Sequence, residues 1–218
     1  MEYKADYLVI GAGIIGLAIA RELKHRFPGA EIIVIDKEPD VAYHSSGRNS
    51  GVLHAGFYYS ADSLKAKFTR DGNWTMKEYC REKNLKLNEC QKVVVALDES
   101  ELEALYELER RGKKNGVNVR IITAEELKEI EPNAKTFRYA LYSPDTATVD
   151  PVEVNMSVKN DLRALGVIFL FSDGYKKKID THTILTKNHH RINVTKIINA
   201  AGLYADRIAR DLGAHGPR

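Results

Sequence analysis

Cysteine is scarce in this chain of 218 residues, which has only Cys80 and Cys90. Two cysteines so placed make neither a disulfide framework nor a metal-ligand spacing, and they fit a reducing compartment such as the cytoplasm. No run of ~18 uninterrupted apolar residues occurs, so no transmembrane segment is expected, while peripheral contact with a membrane stays open. Charge of one sign is not in excess either. Lys and Arg number 33 against 30 Asp and Glu, a net charge of +3, and the cations are spread along the chain. Nucleic-acid binding needs a concentrated basic face, so no nucleic-acid partner is expected. The one basic cluster, Lys176, Lys177 and Lys178, reads as a hairpin edge kept from pairing by its lysines. There is no Gly-x-Ser-x-Gly element and no Cys-x-x-Cys, which leaves hydrolase and dithiol-redox chemistry without support. His189 and His190 have no accompanying carboxylate or cysteine in the sequence, so no metal site is expected there. Internal repeats and low-complexity segments are also absent.

What is present is an alternation of strand and helix signals. Tyr7 to Ile10 is a short apolar run of the kind that forms a buried strand. A helix follows from about Gly13 to Phe27 and stops at Pro28-Gly29. Glu31 to Ile35 reads as a second buried strand, so the chain opens with a right-handed strand-helix-strand unit. After a Gly/Ser-rich loop, His44 to Gly56, the pattern predicts a helix over 63–83, a strand over 92–97 and a helix over 98–111, with Gly112 and Gly116 beyond it. A brief strand over 119–122 leads into a capping box, Thr123 to Glu126. Asp150-Pro151-Val152-Glu153 is a strong helix start, because Asp150 can cap and Pro151 has its φ preset. That helix runs to Leu165. Strands are expected over 167–171, 175–179, 183–186 and 191–194, the last two joined by a turn at Lys187 to His190. A final strand over 196–199 turns at Ala200-Ala201-Gly202 into a helix over 204–212. The fold class is therefore α/β: a Rossmann-like domain with a parallel sheet and a small β-meander, interrupted by a partial α+β insert. The expected boundaries are 1–86 and 149–218 for the two segments of the first domain and 87–148 for the insert.

The chemistry begins at Gly11-Ala12-Gly13-Ile14-Ile15-Gly16. This Gly-x-Gly-x-x-Gly follows a predicted strand and opens a predicted helix, and Asp36 ends the next strand at the spacing of a dinucleotide fingerprint. Gly11 permits the tight turn, Gly13 lets a pyrophosphate approach the backbone, and Gly16 lets helix and strand pack closely. The helix start supplies N–H groups to phosphate, and Asp36 accepts from ribose hydroxyls. The fingerprint alone does not separate FAD from NAD. The loop after it suits a longer cofactor: Ser45, Ser46 and Ser50 can bond phosphate or ribityl oxygens, and Arg48 can neutralise charge.

The stretch Ser46-Gly47-Arg48-Asn49-Ser50-Gly51-Val52-Leu53-His54-Ala55-Gly56, with Tyr58-Tyr59, resembles the flavin-contacting segment of the L-2-hydroxyglutarate oxidase/dehydrogenase family. That family belongs to the D-amino-acid-oxidase-like flavoproteins. Further matches are Ser63 to Lys67, Glu131-Pro132-Asn133, Ser143 to Pro151, and Ile197 to Asp206. The resemblance covers nearly the whole chain and implies FAD as cofactor. It implies that Gly11, Gly13, Ile14, Ile15, Gly16, Asp36 and Lys37 hold the ADP half. It places Ser45, Ser46, Arg48, Asn49, Ser50 and Gly51 along the pyrophosphate and ribityl path. Tyr175 falls where such flavoproteins bring backbone groups to the adenine edge, and Ala200, Ala201 and Gly202 form a second close turn. The implied reaction is oxidation of a 2-hydroxy acid to the 2-keto acid, with hydride passing to flavin N5. His54, whose ordinary pKa lies near neutrality, is the candidate base, and Tyr58 and Tyr59 are candidate substrate contacts.

The family's chains are about twice as long, and a partner chain that completes the site is one expectation that follows. Other expectations stay open on the same scaffold: an amino-acid or amine oxidase, a glycerol-3-phosphate-type dehydrogenase, or a chain that binds FAD or ADP without independent turnover. The sequence names no electron acceptor.

Overall fold

The computed structural model describes residues 1–214. The chain opens with β1 (Glu2–Ile10), α1 (Ile14–Arg26) and β2 (Ile32–Ile35). It continues through β3 (Val52–Leu53), α2 (Leu64–Glu82), β4 (Leu87–Asn88), β5 (Lys92–Val95), α3 (Leu102–Lys114), β6 (Arg120–Thr123), α4 (Ala124–Ile130), β7 (Tyr139–Ser143) and β8 (Ala147–Val149). It closes with α5 (Pro151–Ala164), β9 (Ile168–Leu170), β10 (Tyr175–Lys178), β11 (Thr183–Thr186), β12 (Arg191–Asn199) and α6 (Ala205–Asp211). Among the described residues, contacts divide it into two units, 1–49 with 151–214, and Ser50–Asp150.

The first unit is built on a six-stranded sheet in the order β10-β11-β12-β1-β2-β9. β12, β1, β2 and β9 are mutually parallel, and β10 and β11 add an antiparallel meander at one edge. All four residues of β2 are buried, as a continuous Ile/Val run requires of a strand covered on both faces. Leu8, Ile10, Ile33, Ile35, Ile184, Ile192 and Val194 form one cluster across these strands. Burying each such side chain stabilises the fold by about 1.5–3 kcal/mol before conformational entropy is charged. α1 buries Gly16, Leu17 and Ala20, and its last turn carries Lys24, His25 and Arg26, cations suited to the negative helix end. The lysine-rich β10 is an edge strand.

The second unit has two three-stranded antiparallel sheets, β3-β8-β4 and β5-β7-β6. Its core gathers Phe57, Leu105, Val117, Val119 and Leu141. The capping box forms as the spacing predicts: Thr123 N–H donates to Glu126 Oε2 at 2.9 Å and Glu126 N–H to Thr123 Oγ1 at 3.2 Å.

The structure departs from the sequence-based expectation in several elements. β1 starts at Glu2, because Glu2 to Ala5 pair with Arg191 to Val194 of β12. The two strands expected over 191–194 and 196–199 are one continuous strand. Gly112 lies inside α3, where the Val119 side chain fills the space a Cβ would need (2.3 Å). β3, β4, β7 and β8 were not anticipated. The second unit also takes in residues 50–86, including α2, which the expected boundary at 86/87 had assigned to the first domain.

Candidate functional site

Parallel β1, β2 and β12 all present their carboxyl ends on one side of the sheet, the place where open α/β sheets bind ligands. β1 runs into Gly11, whose φ of 109° suits only glycine. Gly11 N–H donates to the Ile35 carbonyl at 2.8 Å, and Ala200 N–H donates to the Ile10 carbonyl at 2.9 Å. A Cβ at Gly11 would lie 2.4 Å from the Ala200 carbonyl oxygen, and one at Gly16 would lie 2.0 Å from the Gly11 carbonyl oxygen. The glycine turn, the start of α1 and the Ala200–Gly202 turn are thus in backbone contact.

Asp36 ties β2 to this turn. Its Oδ2 accepts the Ala12 N–H at 2.7 Å and its Oδ1 accepts the Glu38 N–H at 3.0 Å. A carboxylate offers about four acceptor directions, so it keeps capacity for a ligand's hydroxyls. The 44–49 loop closes over the helix start, where Ser46 Oγ accepts the Ile14 N–H at 2.9 Å. Asn49 Nδ2 donates to the Ser45 and Ser46 carbonyls at 2.9 and 3.2 Å.

These segments enclose a cleft of about 920 Å³ within the first unit, near the upper end of the ~300–1,000 Å³ common for ligand sites. Gly11, Gly13, Ile15, Asp36, Lys37, Ser45, Ser46 and Arg48 line it, as do Tyr175, Ala200, Ala201 and Gly202. Gly16 does not line it; buried where α1 meets the glycine turn, it allows their close packing. Ile14 and Asn49 support the loop through their hydrogen bonds rather than lining the cleft. Ser50 and Gly51 belong to the second unit.

Sequence reasoning missed several lining residues, Glu38 and His44 among them. These two join the expected Lys37 in one polar cluster, with His44 Nε2 2.7 Å from Glu38 Oε1 and 2.8 Å from Lys37 Nζ. Hydrogen bonds from Lys37 and then His44 hold the Glu38 carboxyl below its usual range. Two cations approach the Tyr204 ring, with Lys37 Nζ 5.4 Å and the Arg207 guanidinium 5.6 Å from its centroid. The signal for Tyr204 and Arg207 was their place just after the Ala200–Gly202 turn. The Tyr175 hydroxyl donates to Asp211 on α6. Burial, and then this bond, raises the Tyr175 pKa, and the same bond with the Lys178 N–H lowers that of Asp211.

Residues 6–218 match the family described as FAD dependent oxidoreductase. The chain belongs to that family. Among curated relatives, the mitochondrial L-2-hydroxyglutarate dehydrogenase of Nematostella vectensis is 36% identical over 230 residues, covering 96% of this chain and 50% of that protein. The Homo sapiens mitochondrial L-2-hydroxyglutarate dehydrogenase is 36% identical over 219 residues, covering 94% of this chain and 47% of that protein. The chain therefore spans about half the length of these relatives. Among solved structures, the L-alpha-glycerophosphate oxidase of Mycoplasma pneumoniae with FAD bound superposes with a TM-score of 0.83 at 28% identity, over 95% of this chain and 56% of that one.

FAD is the cofactor of this family of oxidoreductases, and the cleft fits it. Gly13 leaves its Cβ position next to nothing but Ser46 Oγ, at 3.0 Å, so an anionic group can approach the backbone there. Asp36 retains acceptor capacity beside the glycine turn, and Arg48 stands on the cleft wall.

In the second unit, His54 follows β3. Buried asparagines fix the backbone around it: Asn73 Nδ2 donates to the Leu53 carbonyl at 2.8 Å, and Asn115 Nδ2 donates to the Gly56 and Tyr59 carbonyls at 3.2 and 3.0 Å. The His54 ring meets Tyr58 edge-on, centroids 6.4 Å apart. Burial, and secondarily the Lys92 charge, pushes the His54 pKa down. Lys92 Nζ stands 4.8 Å from the Tyr58 ring centroid and Lys65 Nζ 4.4 Å from that of Tyr59. His190 has a carboxylate partner that its sequence neighbours do not reveal: buried Asp173, whose Oδ2 is 2.9 Å from Nδ1. Among the described residues no helix is long and apolar enough to cross a membrane.

Proposed function

We propose that the cleft of the first unit binds FAD and that the protein oxidises a 2-hydroxy acid, specifically L-2-hydroxyglutarate, to its 2-keto acid. The observation that carries the cofactor reading is the backbone contact of two turns, Gly11–Gly13 and Ala200–Gly202, beside a carboxylate bonded to the first of them. Gly11, Gly13, Gly16 and Asp36, with Ile14, Ile15 and Lys37 around them, receive the ADP half. Ser45, Ser46 and Arg48, with Asn49 supporting their loop, receive the pyrophosphate and ribityl chain. Tyr175 offers its backbone to adenine, and Ala200 to Gly202 form the second close wall. The substrate reading rests on the relatives that share 36% identity with nearly the whole chain.

When bound, FAD supplies a two-electron acceptor. The chain's own contribution to chemistry is assigned to His54. Removing hydrogen from a secondary alcohol leaves a hydroxyl proton to be taken up, and a neutral imidazole accepts it. Burial and Lys92 both favour the neutral form of His54, and the Asn73 and Asn115 bonds hold its backbone. Tyr58 and Tyr59 are proposed to contact the substrate. Anaerobic mixing of the FAD-loaded protein with L-2-hydroxyglutarate should bleach the flavin absorbance. Bleaching by glycerol 3-phosphate or an amino acid, with none by any 2-hydroxy acid, would refute the substrate assignment.

A further inference from the structure

α5 inserts two polar side chains among apolar ones. Asn155 and Lys159 are each only 2% exposed, level with Val154, Val158 and Leu162. Four residues apart, they share one face of the helix. Asn155 Nδ2 donates to the Pro151 carbonyl at 2.7 Å and to the Ser46 carbonyl at 3.2 Å, while its Oδ1 is buried without a hydrogen-bond partner. Lys159 Nζ donates to both oxygens of Asp40, at 2.7 and 2.9 Å. Burial pushes the Asp40 carboxyl up, but the bonds from Lys159 and the Val41 N–H outweigh it and hold it low. Both grips end on cleft-lining residues of one segment. Asp40 lies just after the acid of β2, and Ser46 holds the Ile14 N–H at the helix start.

These are poor choices for stability alone. A buried orphan acceptor costs free energy, and buried ion pairs are often replaced by apolar groups with no loss. We propose that Asn155 and Lys159 are positioning residues that clamp the Asp40–Arg48 loop in its cofactor-receiving form. The clamp raises affinity for FAD without adding net stability to the fold, and it rests on the FAD-binding reading above.

The test uses the 218-residue chain with Asn155→Leu and Lys159→Met made singly. FAD affinity is read from quenching of flavin fluorescence and stability from melting without FAD. Each variant should weaken FAD binding about three- to tenfold, the scale of one lost hydrogen bond. The melting midpoint should be unchanged or higher in Asn155→Leu and in the double variant Lys159→Met/Asp40→Asn, whereas Lys159→Met alone leaves the Asp40 carboxylate without its partner and should melt lower. Asp40→Asn should weaken binding as Lys159→Met does, and the double variant should lose little more, because both remove one contact. This cycle decides the matter if Asn155→Leu does not fold. Wild-type affinity in the Lys159 and Asp40 variants would overturn the clamp, as would a melting loss in the double variant that parallels its affinity loss. Failure of the unmodified chain to bind FAD would overturn the cofactor reading itself, and the clamp with it.

Discussion

Gly13→Ala separates cofactor binding from folding, and the structure sets the size of each effect. The φ of Gly13 is −73°, which alanine adopts without strain. The added Cβ would meet only Ser46 Oγ, at 3.0 Å. The Ser46 side chain must give slightly, at the expense of its 2.9 Å bond from the Ile14 N–H, a cost of about 1 kcal/mol. The same methyl stands where pyrophosphate must approach the backbone, so FAD affinity should fall at least about tenfold, or 1.4 kcal/mol. Gly11→Ala should behave oppositely. Its φ of 109° is strained for alanine, at about 1–3 kcal/mol. Its Cβ would also press on the Ala200 backbone at 2.4 Å, where no side chain can swing aside. Gly16→Ala meets backbone at 2.0 Å and belongs with Gly11. Gly29→Ala, with nothing within 4 Å, is the neutral control. Chemical denaturation and flavin-fluorescence titration on this series give the two axes. Wild-type FAD affinity in Gly13→Ala, or wild-type stability in Gly11→Ala, would refute the argument.

Asp36→Asn leaves one acceptor oxygen for the N–H groups of Ala12 and Glu38. It should cost about 1–2 kcal/mol of stability and weaken FAD binding, checked by the same two measurements. The lowered pKa of His54 means that the unfolded chain binds more protons between that lowered value and the ordinary ~6.5. Its contribution to stability should therefore be full above pH ~6.5 and be lost as pH falls toward the folded value. An NMR titration of the His54 ring should give a midpoint below 6.5, and Lys92→Met should raise it slightly, because burial is the larger cause. A midpoint above the ordinary value would contradict this environment. Thr123→Ala removes the acceptor for the Glu126 N–H and should lower the melting midpoint by about 2–4 °C.

The first unit was largely legible in the sequence because its signals are local. Glycines at fixed offsets, an acid at the end of β2 and a continuous Ile/Val run each have one physical meaning. The lining glycines and alanines of the two turns, Gly11 to Gly13 and Ala200 to Gly202, sit together because parallel pairing of β12 with β1 brings Ile10 opposite Asn199. Less legible were elements whose stability comes from partners distant in sequence. β7 is the middle strand between β5 and β6, and its Tyr-Ala-Leu-Tyr-Ser carries a weak pattern of its own. β3, β4 and β8 are two or three residues long and exist through pairing with one another. The outer half of β1 alternates polar and apolar and reads as a frayed terminus until β12 is seen beside it. Lys159 and Asn155 looked like ordinary polar helix residues. Only the packed fold buries them and turns them toward Asp40 and Ser46.

Occupation of the first unit's cleft by FAD is tested most directly by the visible absorption spectrum of the purified chain, before and after incubation with FAD and removal of the excess. The predicted result is a retained oxidised-flavin spectrum that Gly13→Ala diminishes. A colourless protein that retains no added FAD, while folded by circular dichroism, would contradict it.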